Sequence, residues 1–343
     1  MAVRQGTRVQ DHRCRTSARS SRTRSRILAT AVAAAALGAA ACSGDPSPGP
    51  SGAETPTILA TTSIWADVVA NVACDGLAEV EAIIPVGGDP HGYEPSLQDA
   101  ERMTNASLVV ANGLTLEGRL EDTLATVADS GTPVLMFAEH MDPIPFQGHH
   151  DDHDDEGHDE HEGHDHGTED PHVWLDPHRV AEALPVLAQA LTADAGLDAA
   201  AVEACLTSYR AELEAVDAEI AAKVEQLPAE SRKLVTNHDA FEYYATRYGF
   251  EVIGTVIPSS SSLAEANPAG LEELAEVIEH EGIKAIFAEL QHSGEEIEAL
   301  AARIGGVEVV TLYTGSLGPP GSGAETYTGY LRTNTDLIVD SLN

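Results

Sequence analysis

The histidines of this 343-residue chain come in two styles. Seven of the fifteen crowd into one run, where His149, His150, His153, His158, His161, His164 and His166 interleave with Asp and Glu. Three others stand singly: His91 in "VGGDPHGYEPS", His172 in "DPHVWLDP" and His238 in "LVTNHDAF". A neutral imidazole is a nitrogen donor, and three converging imidazoles suit Zn²⁺, which prefers four nitrogen, sulfur or oxygen ligands in a tetrahedron. Such a set can hold an ion. With an open position and a general base it can also hydrolyse a substrate. One such histidine alone reads more readily as a satisfied loop or cap residue, so the three must be judged by placement.

Placement follows from the elements. From residue 56 the chain alternates strands with helices. "TILATTSI", "AEVEAIIPV", "SLVVANG" and "PVLMFAE" read as strands, with "WADVVANVA", "PSLQDAERMTNA" and "LEGRLEDTLATVADS" as helices between them. A helix opens at "DPHRVAEALPVLAQAL", with Asp176 as its cap and Pro177 at its first position. Residues 198–227 form one long helical pattern in which Val202, Leu206, Tyr209, Leu213, Val216 and Ile220 recur every three or four positions. Alternation then restarts with "RKLVTN", "FEVIGTVI", "IKAIFAEL" and "VEVVTLY" as strands.

This order predicts an α/β fold: two lobes, each a parallel sheet flanked by helices, joined by one long rigid helix. The N-terminal lobe spans 56–197 and includes a His/Asp-rich loop at 147–170. The linking helix spans 198–227 and the C-terminal lobe 228–343. Ligands of such sheets bind outside the carboxyl ends of strands. His91 and His238 each follow a strand, and His172 precedes a helix start. All three therefore point to one metal site between the lobes.

The histidine run has no apolar residue to bury and reads as a disordered loop. Its function would be a weak, multi-site collector of zinc, the bland alternative being a solvated acidic loop. Residues 1–42 read as a lipoprotein signal: a basic stretch with Arg15, Arg19, Arg22, Arg24 and Arg26, the apolar "ILATAVAAAALGAAA", then Cys42 as the lipidation site. Residues 43–55 are a flexible linker rich in Pro, Gly and Ser. The chain is expected to be extracytoplasmic and anchored to the membrane by lipid at Cys42. Cys74 and Cys205 could pair in such an oxidising compartment or remain two buried thiols.

Eight of the 19 basic residues fall in the leader, so the rest is more acidic than even the overall charge of −37 suggests. Such a surface repels nucleic acid and tolerates cations. There is no HExxH motif, "GPPGSG" lacks the lysine of a phosphate loop, and aromatic residues are only 4% of the chain, too few for a stacking platform.

Taken in order, "TTSIWADVVANV", "GGDPHGYEPS", "DPHVWLDP", "TNHDAFEYYATRYG", "NPAGLEELAEVIEHEGIKAIFAE" and "SGAETYTGYLRTN" resemble the zinc and manganese solute-binding proteins of bacterial ABC transporters. The resemblance covers residues 56–343. It implies a metal buried between two lobes, His91, His172 and His238 as ligands, and a membrane permease with a cytoplasmic ATPase as partners. A monomer is expected. Members of this family often add an Asp after the last strand, where this chain has Gly315 in "LYTGSLGPPGSG". Glu289 in "IFAEL" is then the first candidate for the fourth ligand, ahead of His292, Glu325 or a water. A nitrogen-rich site favours Zn²⁺ over Mn²⁺, and manganese-binding relatives generally carry a carboxylate where this chain has His238. The reading is a zinc-capture protein for uptake, not an enzyme. The alternatives are a manganese-binding paralogue, a surface zinc buffer or adhesin, and a zinc hydrolase.

Overall fold

β1 (Thr57–Ala60) is an inner strand of a sheet that β2 (Glu79–Ala82), β3 (Leu108–Ala111) and β4 (Val134–Met136) complete. The order is β2-β1-β3-β4, and every pair is parallel. The computed structural model describes residues 55–74, 76–146, 169–292 and 294–343. The leader with Cys42, nearly all of the linker and the histidine run (His149, His150, His153, His158, His161, His164, His166) lie outside the described residues. A second sheet contains β5 (Lys233–His238), β6 (Glu251–Ile257), β7 (Ala285–Glu289) and β8 (Glu308–Leu312). Its order is β6-β5-β7-β8, again all parallel. β3 and β7 are buried along their whole length, as strands covered by helices on both faces must be.

The connecting helices are α1 (Ser63–Ala73), α2 (Leu97–Thr104), α3 (Glu121–Asp129), α4 (Pro177–Ala193), α6 (Glu242–Tyr248), α7 (Pro268–Glu281), α8 (Glu295–Ile304) and α9 (Tyr327–Leu342). Their starts are written in the sequence. Asp176 accepts the amide of His178 ahead of α4, with Pro177 at the first position. Ser96 and Asp99 form a reciprocal capping box on α2.

α5 (Ala199–Val224) is the long helix, 26 residues and hence roughly 39 Å. Asp198 caps it through the amide of Ala201 at 2.9 Å. Its buried stripe is Val202, Leu206, Tyr209, Leu213, Val216, Ile220 and Val224. That stripe packs on α1 and α4 from the first sheet's helices and on α6 and α9 from the second's. One apolar core therefore runs through both halves, and each sheet has a smaller cluster on its outer face. Cys74, at the end of α1, and Cys205, on α5, are joined by a disulfide with a Cα–Cα distance of 5.9 Å. Among the described residues no helix is long and apolar enough to cross a membrane.

One predicted helix starts late. The pattern "LEGRLEDTLATVADS" suggests a start near Leu116, but α3 begins at Glu121. Glu117 is turned inward instead, where its carboxylate accepts the amides of Asn112 at 2.8 Å and Gly113 at 3.1 Å. Its side chain closes the end of β3 and the chain bends there.

Candidate metal centre

Three tripeptides in this chain read Asp-Pro-His, at 89–91, 170–172 and 176–178. All three fold alike. In each, the first oxygen of the Asp accepts the amide of the His two residues on, at 3.0 Å. Proline supplies the fixed φ and has no amide to satisfy, so the turn closes on the Asp side chain. The second job of each Asp differs. Asp176 caps α4. Asp89 hydrogen-bonds Ser262. Asp170 reaches around to the ring of its own histidine, with Oδ1 2.8 Å from His172 Nδ1.

The second sheet positions the third histidine. His238 is the last residue of β5, and Glu289 is the last residue of the neighbouring β7. Parallel pairing brings these two ends level, so the Glu289 carboxylate accepts the hydrogen of His238 Nδ1. Thr236 Oγ1 donates to the carbonyl of His238 at 2.9 Å and steadies the strand end.

These fixings aim the rings at one another. His172 Nε2 lies 3.3 Å from His91 Nε2 and 3.2 Å from His238 Nε2. All three histidines are buried, and their nitrogens lie within 4.8 Å of each other. With carboxylates holding Nδ1 of His172 and His238 as donors, their Nε2 lone pairs face each other. Two lone pairs at 3.2 Å repel unless a cation lies between them. A tetrahedral ion with bonds of about 2.0–2.1 Å would separate its nitrogens by about 3.3 Å, which matches.

At His172 and His91 electrostatics favour the neutral ring, whose nitrogen is free for an ion, whereas at His238 they favour the proton, which an ion must displace. Burial pushes His172 well below its ordinary value, helped by the charge of His238. Burial does the same to His91, with His172 and His238 adding to it. Burial also works against the charge on His238, but the Glu289 carboxylate outweighs it and raises that histidine. Burial lifts Asp170 to about 7 against the pull of the His172 amide.

The other candidates fall elsewhere. Glu289, expected first as a fourth ligand, is spent on the far edge of the His238 ring. It is not part of the group whose ligand atoms converge. His292 is half-buried with its ring centroid 6.3 Å from that of His238, outside the group. Glu325 is exposed and accepts the amide of Gly321. Gly315 sits against the first half of the molecule: a Cβ on it would stand 2.7 Å from Pro90 Cδ. Sequence reading did not assign Asp170 or Asp89 a role; the repeated Asp-Pro-His signature was the available signal.

A cleft of about 970 Å³ opens beside the cluster, lined by His91, Pro171, Arg119, Ser260 and Leu263 among others. His91 is the member of the three that lines it. Next to Asp170, Pro145 and Glu169 form an antiparallel bridge, and the Asp170 amide reaches Ile144 O at 2.9 Å.

Residues 58–341 match the family model described as zinc-uptake complex component A, periplasmic. The chain is 29% identical over 296 residues to zinc-binding protein TroA of Treponema pallidum, covering 84% of this chain and 89% of that one. It is 26% identical over 290 residues to the manganese ABC transporter substrate-binding lipoprotein PsaA of Streptococcus mitis, covering 83% and 88%. The solved structure of the periplasmic zinc-binding protein TroA from Treponema pallidum superposes with a TM-score of 0.73 at 28% identity, covering 84% of this chain and 99% of that one.

Proposed function

Because the chain belongs to the zinc-uptake component A family of periplasmic metal-binding proteins, we propose that it captures Zn²⁺ between its lobes and delivers it to an ABC-transporter permease. It is a solute-binding protein and not an enzyme. Its relatives carry names for both zinc and manganese, so the choice of ion rests on the donor set. The observation that carries it is His172 Nε2 at 3.3 Å from His91 Nε2 and 3.2 Å from His238 Nε2, with all three ligand atoms within 4.8 Å of one another. Three imidazole nitrogens suit zinc, whereas manganese prefers oxygen. With Glu289 holding a ring, a water is the simplest fourth ligand.

The sequence and the family supply the rest of the reading. Cys42 carries the lipid that tethers a monomer outside the membrane, and residues 43–55 give it reach. Residues 56–197, 198–227 and 228–343 act as lobe, linking helix and lobe. The run from His149 to His166 collects zinc weakly beside the tight site, a reading supported by the pairing of Pro145 with Glu169, on either side of it, next to Asp170. The permease works with a cytoplasmic ATPase.

Competitive titration with Zn²⁺ and Mn²⁺ tests the reading on two variants. The triple change His91→Ala, His172→Ala, His238→Ala should abolish tight zinc binding with the run intact. Deleting 149–168 should lower the number of zinc ions held and leave one tight site. Tight binding that survives the triple change, or a tighter hold on Mn²⁺ than on Zn²⁺, would overturn it.

A further inference from the structure

The loop of residues 85–96 brings His91 to the cluster, and loops from the second sheet grip it from two sides. On one side Ser316 Oγ accepts the Gly87 amide at 2.7 Å, and Pro90 rests on Gly315. On the cleft side, Ser262 Oγ donates to Asp89 Oδ2 at 2.8 Å, while Asp89 Oδ1 accepts the His91 amide at 3.0 Å. One carboxylate therefore ties the backbone of His91 to the opposite lobe.

The loop that carries Ser262 is itself held firmly. Ser259 Oγ accepts the Ser261 amide at 3.1 Å, and Ser261 Oγ accepts the Leu263 amide at 3.3 Å. The carbonyl of Ser259 accepts the amide of Asp239, the residue after His238, at 3.0 Å. Ser262 is buried, and Leu263 lies on Gly92, where a Cβ would stand 3.3 Å from Leu263 Cδ2. One short loop is thus fixed at the end of β5 and, through Asp89, at His91.

We propose that Asp89 and Ser262 form an interlobe latch that holds His91 in the cluster and sets how fast the bound ion leaves. The inference rests on the three histidines being the ion site. His91 is the histidine that lines the cleft, so an ion leaving by the cleft must displace it. It cannot move while Asp89 is tied to Ser262. Asp89 acts as a positioning residue: one oxygen orients the ligand-bearing backbone and the other anchors it across the cleft.

The test loads the full chain with one equivalent of Zn²⁺ and follows its release into excess chelator by stopped flow. Ser262→Ala should speed release about tenfold, the rate equivalent of one hydrogen bond to a charged group. Asp89→Asn should fall between that variant and the unaltered chain. Ser262→Thr keeps the hydroxyl and should release zinc at the unaltered rate. Loss of this bond should cost metal-free Ser262→Ala about 2 °C of melting temperature, so Asp217→Asn, which removes an ion pair with Arg247 outside the cluster at similar cost, is the control for general loss of stability and should release zinc at the unaltered rate. Equal release rates in the unaltered chain, Ser262→Ala, Asp89→Asn and Ser262→Thr would overturn the latch alone, as would a fast Ser262→Thr or equally fast release from Asp217→Asn. Absence of a slowly released ion in the unaltered chain would overturn the site assignment beneath it.

Discussion

Glu289 accepts the Nδ1 hydrogen of His238, and the two side chains are 3% and 2% exposed. A buried carboxylate behind an imidazole fixes the tautomer, so His238 must present Nε2 to the cluster. The pairing is mutual. Burial would raise Glu289, but the charge and hydrogen bond of His238 hold it below its ordinary value. Asp170 likewise holds Nδ1 of His172 from the first sheet's side, but there burial wins and lifts the carboxyl to about 7.

Glu289→Ala should therefore weaken zinc binding about 10–100-fold, the usual cost of losing an imidazole's outer partner. Glu289→Gln keeps an acceptor for Nδ1 and should cost less. X-ray absorption on the zinc-loaded protein distinguishes a ring holder from a ligand. The coordination number and its nitrogen share should be unchanged in Glu289→Ala; loss of one oxygen neighbour would make Glu289 a ligand.

Some of this is legible in the sequence alone. Three histidines at strand ends and a helix start were visible because parallel α/β folds put ligands at such ends. The buried stripe of α5 could be read from its period. Other features depend on residues far apart in sequence. Nothing local to Glu289 says whether its carboxylate faces the cluster or the back of a ring; pairing of β5 with β7 decides it. Nothing local to Cys74 or Cys205 brings them to 5.9 Å; the packing of α1 on α5 does. Glu117 looked like a helix residue until the backbone amides at the end of β3 claimed it.

Gly315 is likewise governed by a residue far from it in sequence. An acid there would look like a restored ligand, yet the space belongs to Pro90, whose Cδ and Cγ would lie 2.7 and 2.9 Å from a Cβ. A proline ring cannot swing aside, so the loop would have to back away from the segment that carries His91. Neighbouring contacts resist that movement: Ser316 Oγ holds the Gly87 amide, and Ser63 Oγ accepts the Leu317 amide at 3.1 Å. Overpacking of this kind costs about 1–3 kcal/mol. Gly315→Ala and Gly315→Asp should both loosen zinc in calorimetric titration, by up to about 5- to 150-fold if the whole cost falls on the bound state. Tighter binding by Gly315→Asp would show that the carboxylate reaches the ion.

Asp217 ties α5 to α6 and allows a pH test away from the cluster. Its Oδ1 accepts from Arg247 Nε at 2.9 Å and from the Tyr248 hydroxyl at 3.0 Å. Burial would raise the Asp217 carboxyl, but Arg247 and Tyr248 outweigh it and hold it below its ordinary value. A carboxylate depressed in the folded state binds fewer protons there than in the unfolded chain. Its stabilisation is complete above the ordinary carboxylate value, about 3.9, and is lost as pH falls through the folded value. The side chain is 17% exposed, so solvent screens the pair and about 1 kcal/mol is the ceiling. In a chain of this size that corresponds to about 1–2 °C. Metal-free Asp217→Asn should melt lower by that much at pH 7, and the gap should close as pH drops below about 4. Asp176, 3.8 Å from the same guanidinium, remains in the variant and should keep Arg247 partly paired. A gap that stays constant down to acid pH would place the effect in packing and not in the charge of Asp217.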